Sequence, residues 1–279
     1  MTNDTWNWHT WQDLPYLTCS LLEKWPHGFF TRQFSPRSPL ELTDVLLAHR
    51  ATSDPIAPQS PQVYRVKQVH GNIVLLTGEA KPLANPGGDT QAEGGLPEAD
   101  GLLANEPAEA VWVASADCAP VLIASHVTGK VAAVHSGWRG TAAAIVPKAI
   151  ARFQQLFPET SLDSMRIAIG PGIAGEVYQV STEVAAKVCA TIAPKSISED
   201  NSILEWALSL PEPPVLPDSE PERLRLDVRR TIAMQLFHMG IEPEQVAIAP
   251  YCTYQTPDHF FSYRREHLKQ IQWSGIISQ

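Results

Sequence analysis

Three short segments of this sequence place a histidine or a cysteine where the chain is expected to change direction. His70 is followed by Gly71, Cys118 lies within Ser115-Ala116-Asp117-Cys118-Ala119-Pro120, and His135 precedes Ser136-Gly137. Two imidazoles and one thiolate form a donor set that suits Zn²⁺, and three protein ligands leave a fourth position for water or substrate. A catalytic zinc ion deprotonates a bound thiol and lowers the pKa of a bound water. The residue types therefore suggest a catalytic zinc site, in which Asp117 could orient a ligand.

Each of these residues also has an ordinary structural interpretation. A cysteine between apolar strands is commonly a small core residue, and a single histidine usually makes a hydrogen bond at the surface. The wide separations of His70, Cys118 and His135 along the chain match no short zinc motif. Copper is a second candidate metal, because type-1 copper sites also use two histidines and one cysteine. The residue types alone leave both the site and its metal open.

The elements that must position these residues alternate in type. Short apolar runs predict eight strands: Tyr64–Val69, Ile73–Thr77, Ala110–Ser115, Val121–Ser125, Lys130–His135, Arg166–Ile169, Gln245–Ala249 and Ile271–Ile277. Helical spacing of apolar residues predicts three helices: Thr141–Phe157, with Pro147 as a kink or as the true start, Ser181–Ile192, and Asp227–Met239 with Asp227 as N-cap and Gly240 just past its end. We therefore predict a mixed α/β or α+β fold, a single compact domain over residues 1–279 with central sheets covered by helices.

Three segments are rich in proline and predict surface loops. They are Ala51–Gln62, Glu79–Ala99 and Leu210–Arg223. Proline removes a backbone donor and fixes φ, so such runs are not typical of central strands or helix interiors. Strand-like segments lie on both sides of each run, so we interpret the three as excursions from one domain.

The composition excludes several classes of function. The formal net charge is -9 and there is no dense run of Lys or Arg, whereas nucleic-acid binding needs clustered positive charge. No stretch approaches the roughly 20 apolar residues of a membrane helix, and the N-terminal residues do not resemble a signal peptide. Four widely spaced cysteines favour free thiols in a reducing compartment. We expect a cytoplasmic protein without nucleic-acid or membrane partners.

Long sequence blocks resemble one known family. The blocks are His27-Gly28-Phe29-Phe30-Thr31-Arg32, Gln68-Val69-His70-Gly71, Ala99-Asp100-Gly101-Leu102, Ala116 to Leu122, Ala133 to Thr141, Ile169-Gly170-Pro171-Gly172-Ile173, Cys252-Thr253-Tyr254 and Phe260 to Arg265. In this order they are similar to the YfiH/LACC1-type family, formerly called polyphenol oxidases or laccase-like multicopper oxidases and now viewed as purine nucleoside phosphorylases. The resemblance runs from about residue 27 to 265, and we expect residues 1–26 to be an N-terminal extension packed on the domain.

The resemblance implies a YfiH/CNF1-like fold and a zinc site formed by His70, Cys118 and His135. It implies phosphorolysis of adenosine, inosine, guanosine and methylthioadenosine, with adenosine deamination as a companion activity, in a monomer or homodimer. One departure is visible: Gln33-Phe34-Ser35-Pro36-Arg37 follows Thr31-Arg32 where the family usually has a Gly-Gly turn. We therefore expect the loop at that edge of the pocket, and with it the nucleoside preference, to differ.

Phosphorolysis needs an anion site, stabilisation of positive charge on the ribose, and assistance to the departing base. Arg139, just before a predicted helix, is the first candidate for binding phosphate, followed by Arg32 and Arg264, with Gln68 as a further substrate-binding candidate. Asp117 is a candidate general base, although a supporting or capping role fits it somewhat better. Trp138 and Tyr178 are aromatic residues that either stack on a purine or pack in the core.

Three rival functions differ in kind. A copper-dependent polyphenol oxidase would share the ligand types, but multicopper enzymes need several HxH pairs and the nine histidines here form none. A non-catalytic module with a structural zinc would have a fourth protein ligand. A hydrolase that edits peptidoglycan precursors has been proposed for relatives and is not excluded by the sequence.

Overall fold

The computed structural model describes residues 5–51, 60–83 and 95–279. Within these residues the strands are β1 (Trp6–Trp11), β2 (Leu14–Cys19), β3 (His27–Phe30), β4 (Gln62–Tyr64), β5 (Val74–Leu76), β6 (Gly101–Leu103), β7 (Glu109–Ser115), β8 (Ala119–Ser125), β9 (Val131–Ser136), β10 (Met165–Ile169), β11 (Gln179–Ser181), β12 (Val215–Pro217), β13 (Arg223–Leu226), β14 (Val246–Ile248) and β15 (Gln272–Ile277). The helices are α1 (Pro39–Ala51), α2 (Trp138–Ala142), α3 (Ile145–Leu156), α4 (Thr182–Cys189), α5 (Asp200–Leu208), α6 (Val228–His238) and α7 (Tyr263–Glu266).

The first sheet joins the two ends of the chain. Its strand order is β1-β2-β3-β15-β7-β4, so the last strand of the chain lies between β3 and β7. All neighbours pair antiparallel except β4, which runs parallel to β7 at the edge. Helix α1 covers the outer face of this sheet, where Phe30, Phe34 and Trp112 pack with Leu42 and Leu46.

The second sheet carries the segments around Cys118 and His135. Its order is β14-β10-β8-β9-β6-β5, with antiparallel pairing at the centre and parallel pairing at both edges. One face packs against the first sheet, where apolar residues of both sheets form one buried cluster. The other face is covered by α3 and α6, through residues such as Ile150, Phe153 and Ile232. The site therefore stands on strands that are packed on both sides.

A third, three-stranded sheet, β11-β13-β12, packs with α4 and α5 beside the second sheet. Leu210–Arg223, predicted to be a loop, contains β12, an edge strand in which Pro217 needs no ladder donor. The predicted loop Ala51–Gln62 lies largely outside the described residues, and Glu79–Ala99 lies partly outside them.

The predicted fold class is confirmed as a mixed α/β fold in which helices cover central sheets. Most predicted strands are observed with shifted ends, but Tyr64–Val69 is wrong beyond Tyr64. The chain leaves the sheet there because a side chain takes over the edge of β7. The amide of Gln68 accepts from Ala114 N at 2.7 Å and donates to Ala114 O at 2.8 Å, in place of a backbone ladder.

The predicted helix Thr141–Phe157 is in fact two helices, α2 and α3, which are separated at Ala144. Ala144 adopts the left-handed conformation (φ 53°), and α3 starts directly after it. Pro147 thus lies in the first turn of α3, where its missing N–H costs no hydrogen bond. The predicted cap of α6 is confirmed, since Asp227 accepts from Arg230 N at 2.9 Å and Gly240 follows the helix with φ 91°.

Several elements were not predicted, namely β1 to β3, β6, β11 to β13, α1, α5 and α7. Among the described residues, none of the helices combines the length and apolar content that crossing a membrane requires.

Candidate metal centre

His70, Cys118 and His135 converge at one end of the second sheet. Cys118 lies in the turn between β7 and β8, and His135 is in the neighbouring strand β9, where it pairs with Pro120. His70 reaches the same place from the turn between β4 and β5, where it adopts a left-handed conformation with φ 60°. Three segments that are distant in sequence therefore present two imidazoles and a thiol to one another.

The three donor atoms have a spacing that a metal ion can bridge. One ligand atom from each residue lies within 4.8 Å of the others, and the two imidazole rings stand at 84° with centroids 4.9 Å apart. Zn–N and Zn–S bonds of about 2.0–2.3 Å place tetrahedral donors about 3.3–3.8 Å apart, within reach of small side-chain adjustments. His135 is buried and Cys118 half-buried, whereas His70 is exposed. The open side at His70 gives a reactant access.

Gly137 provides the space for the thiol. A Cβ at this position would lie 2.6 Å from Cys118 Sγ and 3.6 Å from His70 Cδ2. Its backbone is extended (φ -83°, ψ 179°), so the need for glycine is one of space and not of conformation. The centre therefore depends on a fourth segment that supplies no ligand.

Asp100 connects the two histidines and is fully buried. Its Oδ1 lies 2.9 Å from His135 Nδ1 and accepts from His70 N at 2.9 Å, and its Oδ2 accepts from Gly71 N at 2.6 Å. Burial would raise the pKa of this carboxyl, but the hydrogen bonds of His135 and Gly71 lower it below its ordinary value. The carboxylate is thus ionised at neutral pH.

Cys118 and His135 shift each other towards their charged forms. Burial opposes ionisation of the thiol, yet the charge and hydrogen bonds of His135 and His70 lower the pKa of Cys118 to about 6. Burial would likewise lower the pKa of His135, but Cys118 and Asp100 raise it to about 9. A thiolate at neutral pH is the form that binds a metal ion.

Asp117 is used to fix the loops around the centre. It has φ 90°, and its carboxylate accepts from Thr253 Oγ1 and from the backbone N–H of Arg264, both at 2.7 Å. Its backbone carbonyl accepts from Ile173 N at 2.8 Å. These bonds occupy both carboxylate oxygens, and they favour a positioning role for Asp117 over that of a general base.

Two arginines and a tyrosine border the centre. Arg139 is exposed, and its guanidinium lies 4.3 Å from the Trp138 ring; within the described part of the chain it has neither a hydrogen bond nor an ion pair. It is the second residue of α2, and not ahead of the helix as its sequence suggested. Arg264 donates to Gln179 O at 3.0 Å and lies 4.9 Å from the Tyr178 ring.

The pKa of Tyr178 depends on the charged groups around the centre. Burial, with the negative charges of Cys118 and Asp117, raises the pKa of its phenol to about 12, against the opposing effect of Arg264 and Arg139. The phenol is therefore neutral and keeps its proton as a hydrogen-bond donor.

The other two predicted substrate-binding residues are engaged elsewhere. Arg32 forms an ion pair with Glu266 at 2.8 Å, donates to Pro257 O and lies over the Phe261 ring. Gln68 is bound at both ends of its amide by Ala114, as described above. In this structure both side chains are held by contacts within the protein.

A family model described as "Multi-copper polyphenol oxidoreductase laccase" matches residues 44–276, most of the chain. The chain belongs to this laccase-like family. The predicted resemblance to YfiH-type proteins is confirmed by the relatives that are similar to it.

Two of these relatives carry the name purine nucleoside phosphorylase. A protein of Synechocystis sp. is 46% identical over 281 residues, which cover 100% of this chain and 99% of the relative. YfiH of Escherichia coli K12 is 30% identical over 205 residues, which cover 72% of this chain and 68% of YfiH. Such naming supports a phosphorylase-like enzyme within the laccase-like family.

A solved structure shows the same fold. YlmD from Geobacillus stearothermophilus superposes with a TM-score of 0.73, covering 98% of both chains at 21% sequence identity. At this identity the match concerns the fold alone.

Two residues of the centre were given no role from the sequence, namely Asp100 and Gly137. Both lie in the blocks that carry the resemblance. A physical signal did exist for Asp100, because an acid within Ala99-Asp100-Gly101-Leu102-Leu103-Ala104 is expected to be buried, and buried acids are rarely unpaired. The partners themselves, His135 and the turn at His70, could only be found in three dimensions.

Proposed function

We propose that this protein is a zinc-dependent purine nucleoside phosphorylase that acts on adenosine, inosine, guanosine and methylthioadenosine, with adenosine deamination as a side activity. The observation that carries the proposal is the convergence of His70, Cys118 and His135 in a chain that matches a phosphorylase over its whole length. The four cysteines are free, which supports a reducing, cytoplasmic location for such an enzyme.

Different residues of the chain are suited to different parts of phosphorolysis. In this reaction a phosphate oxygen bonds to ribose C1′ while the bond from C1′ to the purine breaks, giving ribose 1-phosphate and the free base. The unpaired guanidinium of Arg139 is suited to hold the phosphate, and Arg264 adds positive charge nearby. The neutral phenol of Tyr178 can donate a hydrogen bond to the substrate, and Asp117 holds the surrounding loops in place.

The three ligands fit zinc by donor type and spacing. Bound zinc would supply a Lewis acid that polarises the base, or an attacking water for deamination, which converts adenosine to inosine and ammonia. The ionised Asp100 and the lowered pKa of Cys118 place negative charge at the centre, and a metal ion would displace the proton that these groups favour on His135.

The rival copper oxidase is suggested by the family description but not favoured by the ligand inventory. Among the described residues, His70, Cys118 and His135 are the one group of three or more His, Cys, Asp or Glu side chains that could hold an ion. A multicopper oxidase needs several copper ions for the reduction of oxygen. A single three-ligand centre fits a mononuclear hydrolytic or transfer reaction better.

The decisive experiment incubates zinc-loaded protein with adenosine under anaerobic conditions, with and without phosphate, and follows adenine, hypoxanthine and inosine. We expect release of adenine that depends on phosphate and is abolished by His135→Ala. His70→Ala, at an exposed position, repeats the test should His135→Ala fail to fold. His238→Ala, at an exposed position at the end of α6, is the matched control and should keep full activity.

The outcomes separate the alternatives. Turnover of phenols only in the presence of oxygen and copper would favour the oxidase. Release of amino acids or sugars from peptidoglycan precursors, without phosphorolysis, would favour the hydrolase. Full phosphorolysis by both histidine variants would remove the metal from the mechanism.

A further inference from the structure

Asp100 makes polar contacts, through both its side chain and its backbone, with the two segments that carry His70 and His135. Its carboxylate receives four N–H groups: the backbone N–H groups of Val69, His70 and Gly71, and the ring of His135 at Nδ1. Its own backbone carbonyl accepts from His135 N at 2.7 Å, and its backbone N–H donates to Ile73 O at 2.9 Å. Side chain and backbone together therefore hold both histidine-bearing segments.

The contact with His135 determines which ring nitrogen carries the proton. The three backbone N–H groups of Val69, His70 and Gly71 can only donate, and together they stabilise the ionised form of the Asp100 carboxyl. The carboxylate can only accept, so Nδ1 of His135 must donate to it. Nε2 is then the nitrogen left to bind a metal ion once it loses its proton, and it belongs to the ring edge that faces Cys118 and His70.

The contact with the turn determines where His70 is placed. His70 has φ 60°, a conformation that costs a non-glycine residue about 1–2 kcal/mol. The three consecutive backbone N–H groups of Val69, His70 and Gly71 point at one carboxylate, which stabilises this left-handed turn. Without the carboxylate these donors would be left unpaired in a partly buried position, and the turn would open.

We propose that Asp100 is a positioning residue that prepares both imidazoles as metal ligands, fixing the tautomer of His135 and the turn that carries His70. The inference rests on the proposed metal centre but not on phosphorolysis. It concerns a residue that contacts neither the ion nor the substrate and acts through the two ligands.

The test is the zinc affinity of the purified full-length protein, measured by competition with a chromophoric chelator. Asp100→Asn is expected to bind zinc about 10–100-fold more weakly, since its amide can donate to His135 Nδ1 and turn Nε2 into the protonated nitrogen. Glu109→Gln is the matched control. Glu109 is also a buried carboxylate, and it accepts from Thr77 Oγ1, Asn105 N and Glu106 N at the other end of β7, so its variant should lose stability but not zinc.

A second arm separates the two parts of the role. In the His135→Ala background, Asp100→Asn should weaken zinc binding by a smaller factor than in the wild type, because only the turn at His70 remains to be lost. Equal factors in both backgrounds would overturn the part that concerns His135. Zinc affinity of a folded Asp100→Asn variant within about two-fold of the wild type would overturn the whole inference.

A third measurement does not depend on a variant that folds. In the zinc-loaded wild type, ¹⁵N NMR of the His135 ring should show the proton on Nδ1, and a proton on Nε2 would contradict the inference. Zinc binding that follows these expectations in a protein without phosphorolysis would reject the proposed function and leave the role of Asp100 standing.

Discussion

Replacing Gly137 by alanine tests whether the thiol position, and not only the presence of three ligands, makes the centre. The added Cβ would lie 2.6 Å from Cys118 Sγ and 3.6 Å from His70 Cδ2. Unstrained contacts between such atoms are about 3.5–4.0 Å, so the sulfur must retreat by about 1 Å. The backbone of Gly137 (φ -83°, ψ 179°) suits alanine, so the effect comes from the contact alone.

The expected magnitudes differ for stability and for function. Overpacking by one methyl group typically lowers the free energy of unfolding by about 1–3 kcal/mol. The lower conformational entropy of the unfolded alanine variant offsets about 0.4–1 kcal/mol of this loss. We therefore expect a modest loss of stability. A displacement of about 1 Å exceeds the roughly 0.2 Å tolerance of metal–ligand distances, and misplacement on this scale reduces turnover by about 100-fold.

The assays are the zinc affinity, the rate of phosphorolysis of adenosine, and the midpoint of thermal unfolding, each in parallel with Gly78→Ala. A Cβ at Gly78 has no atom within 4 Å, so this control carries the same chemical change without the contact. Gly137→Ala should fall in zinc affinity and rate while Gly78→Ala stays at the wild-type level. Wild-type zinc affinity and turnover in Gly137→Ala would refute the placement of the thiol beside this glycine.

Three further predictions follow from the same structure. Arg139→Ala should lower kcat/KM for phosphate about 10–100-fold, the equivalent of a charged hydrogen bond of about 1.5–3 kcal/mol, with zinc affinity unchanged; an unchanged phosphate dependence would contradict its role. Removing zinc with a chelator at neutral pH should leave a folded protein in which iodoacetamide modifies Cys118 before Cys19 and Cys189. The reason is that the pKa of Cys118 is about 6, whereas burial raises the pKa of the other two thiols to about 12. Equal rates of modification, measured by mass spectrometry, would count against a thiolate at Cys118. Burial lowers the pKa of His27 from 6.5 to about 4, so the unfolded chain takes up the proton first as the pH decreases. The free energy of unfolding should therefore fall by about 3 kcal/mol between pH 6.5 and pH 4, at ~1.4 kcal/mol per pH unit. A plot of the denaturant midpoint against pH should be less steep for His27→Gln than for the wild type, and parallel plots would refute the assignment.

The strands around the centre could be predicted because they are buried on both faces. Strands β7, β8 and β9 are almost entirely buried, so their sequences are continuous apolar runs that end where the chemistry begins. The N-terminal strands β1 and β2 gave no such signal. Trp6 and Trp8 alternate with polar residues but Trp11 does not continue the alternation, and β1 is half-exposed at the edge of the first sheet.

Much of the site could be predicted from residue type, but the supporting groups could not. His70, Cys118 and His135 are unusual residues at strand ends, and the family resemblance assigned them a common role. Whether an arginine or a glutamine faces a ligand depends on its neighbours in space. Gln68 and Arg139 look equally available in the sequence, yet the first is bound to the backbone of Ala114 and the second has a free guanidinium.

The left-handed residues at the centre are stabilised by hydrogen bonds within the protein. His70 (φ 60°) and Asp117 (φ 90°) both adopt a conformation that costs about 1–2 kcal/mol. Each cost is offset by a carboxylate: Asp100 binds the turn of His70, and the side chain of Asp117 binds Thr253 and the backbone of Arg264. Because these bonds join protein groups only, the strain is balanced without help from a metal. A structural zinc site, in contrast, obtains its folding energy from the ion itself. The hydrogen bonds around His70 and Asp117 thus argue for a centre that serves a reaction and against one that holds the fold together.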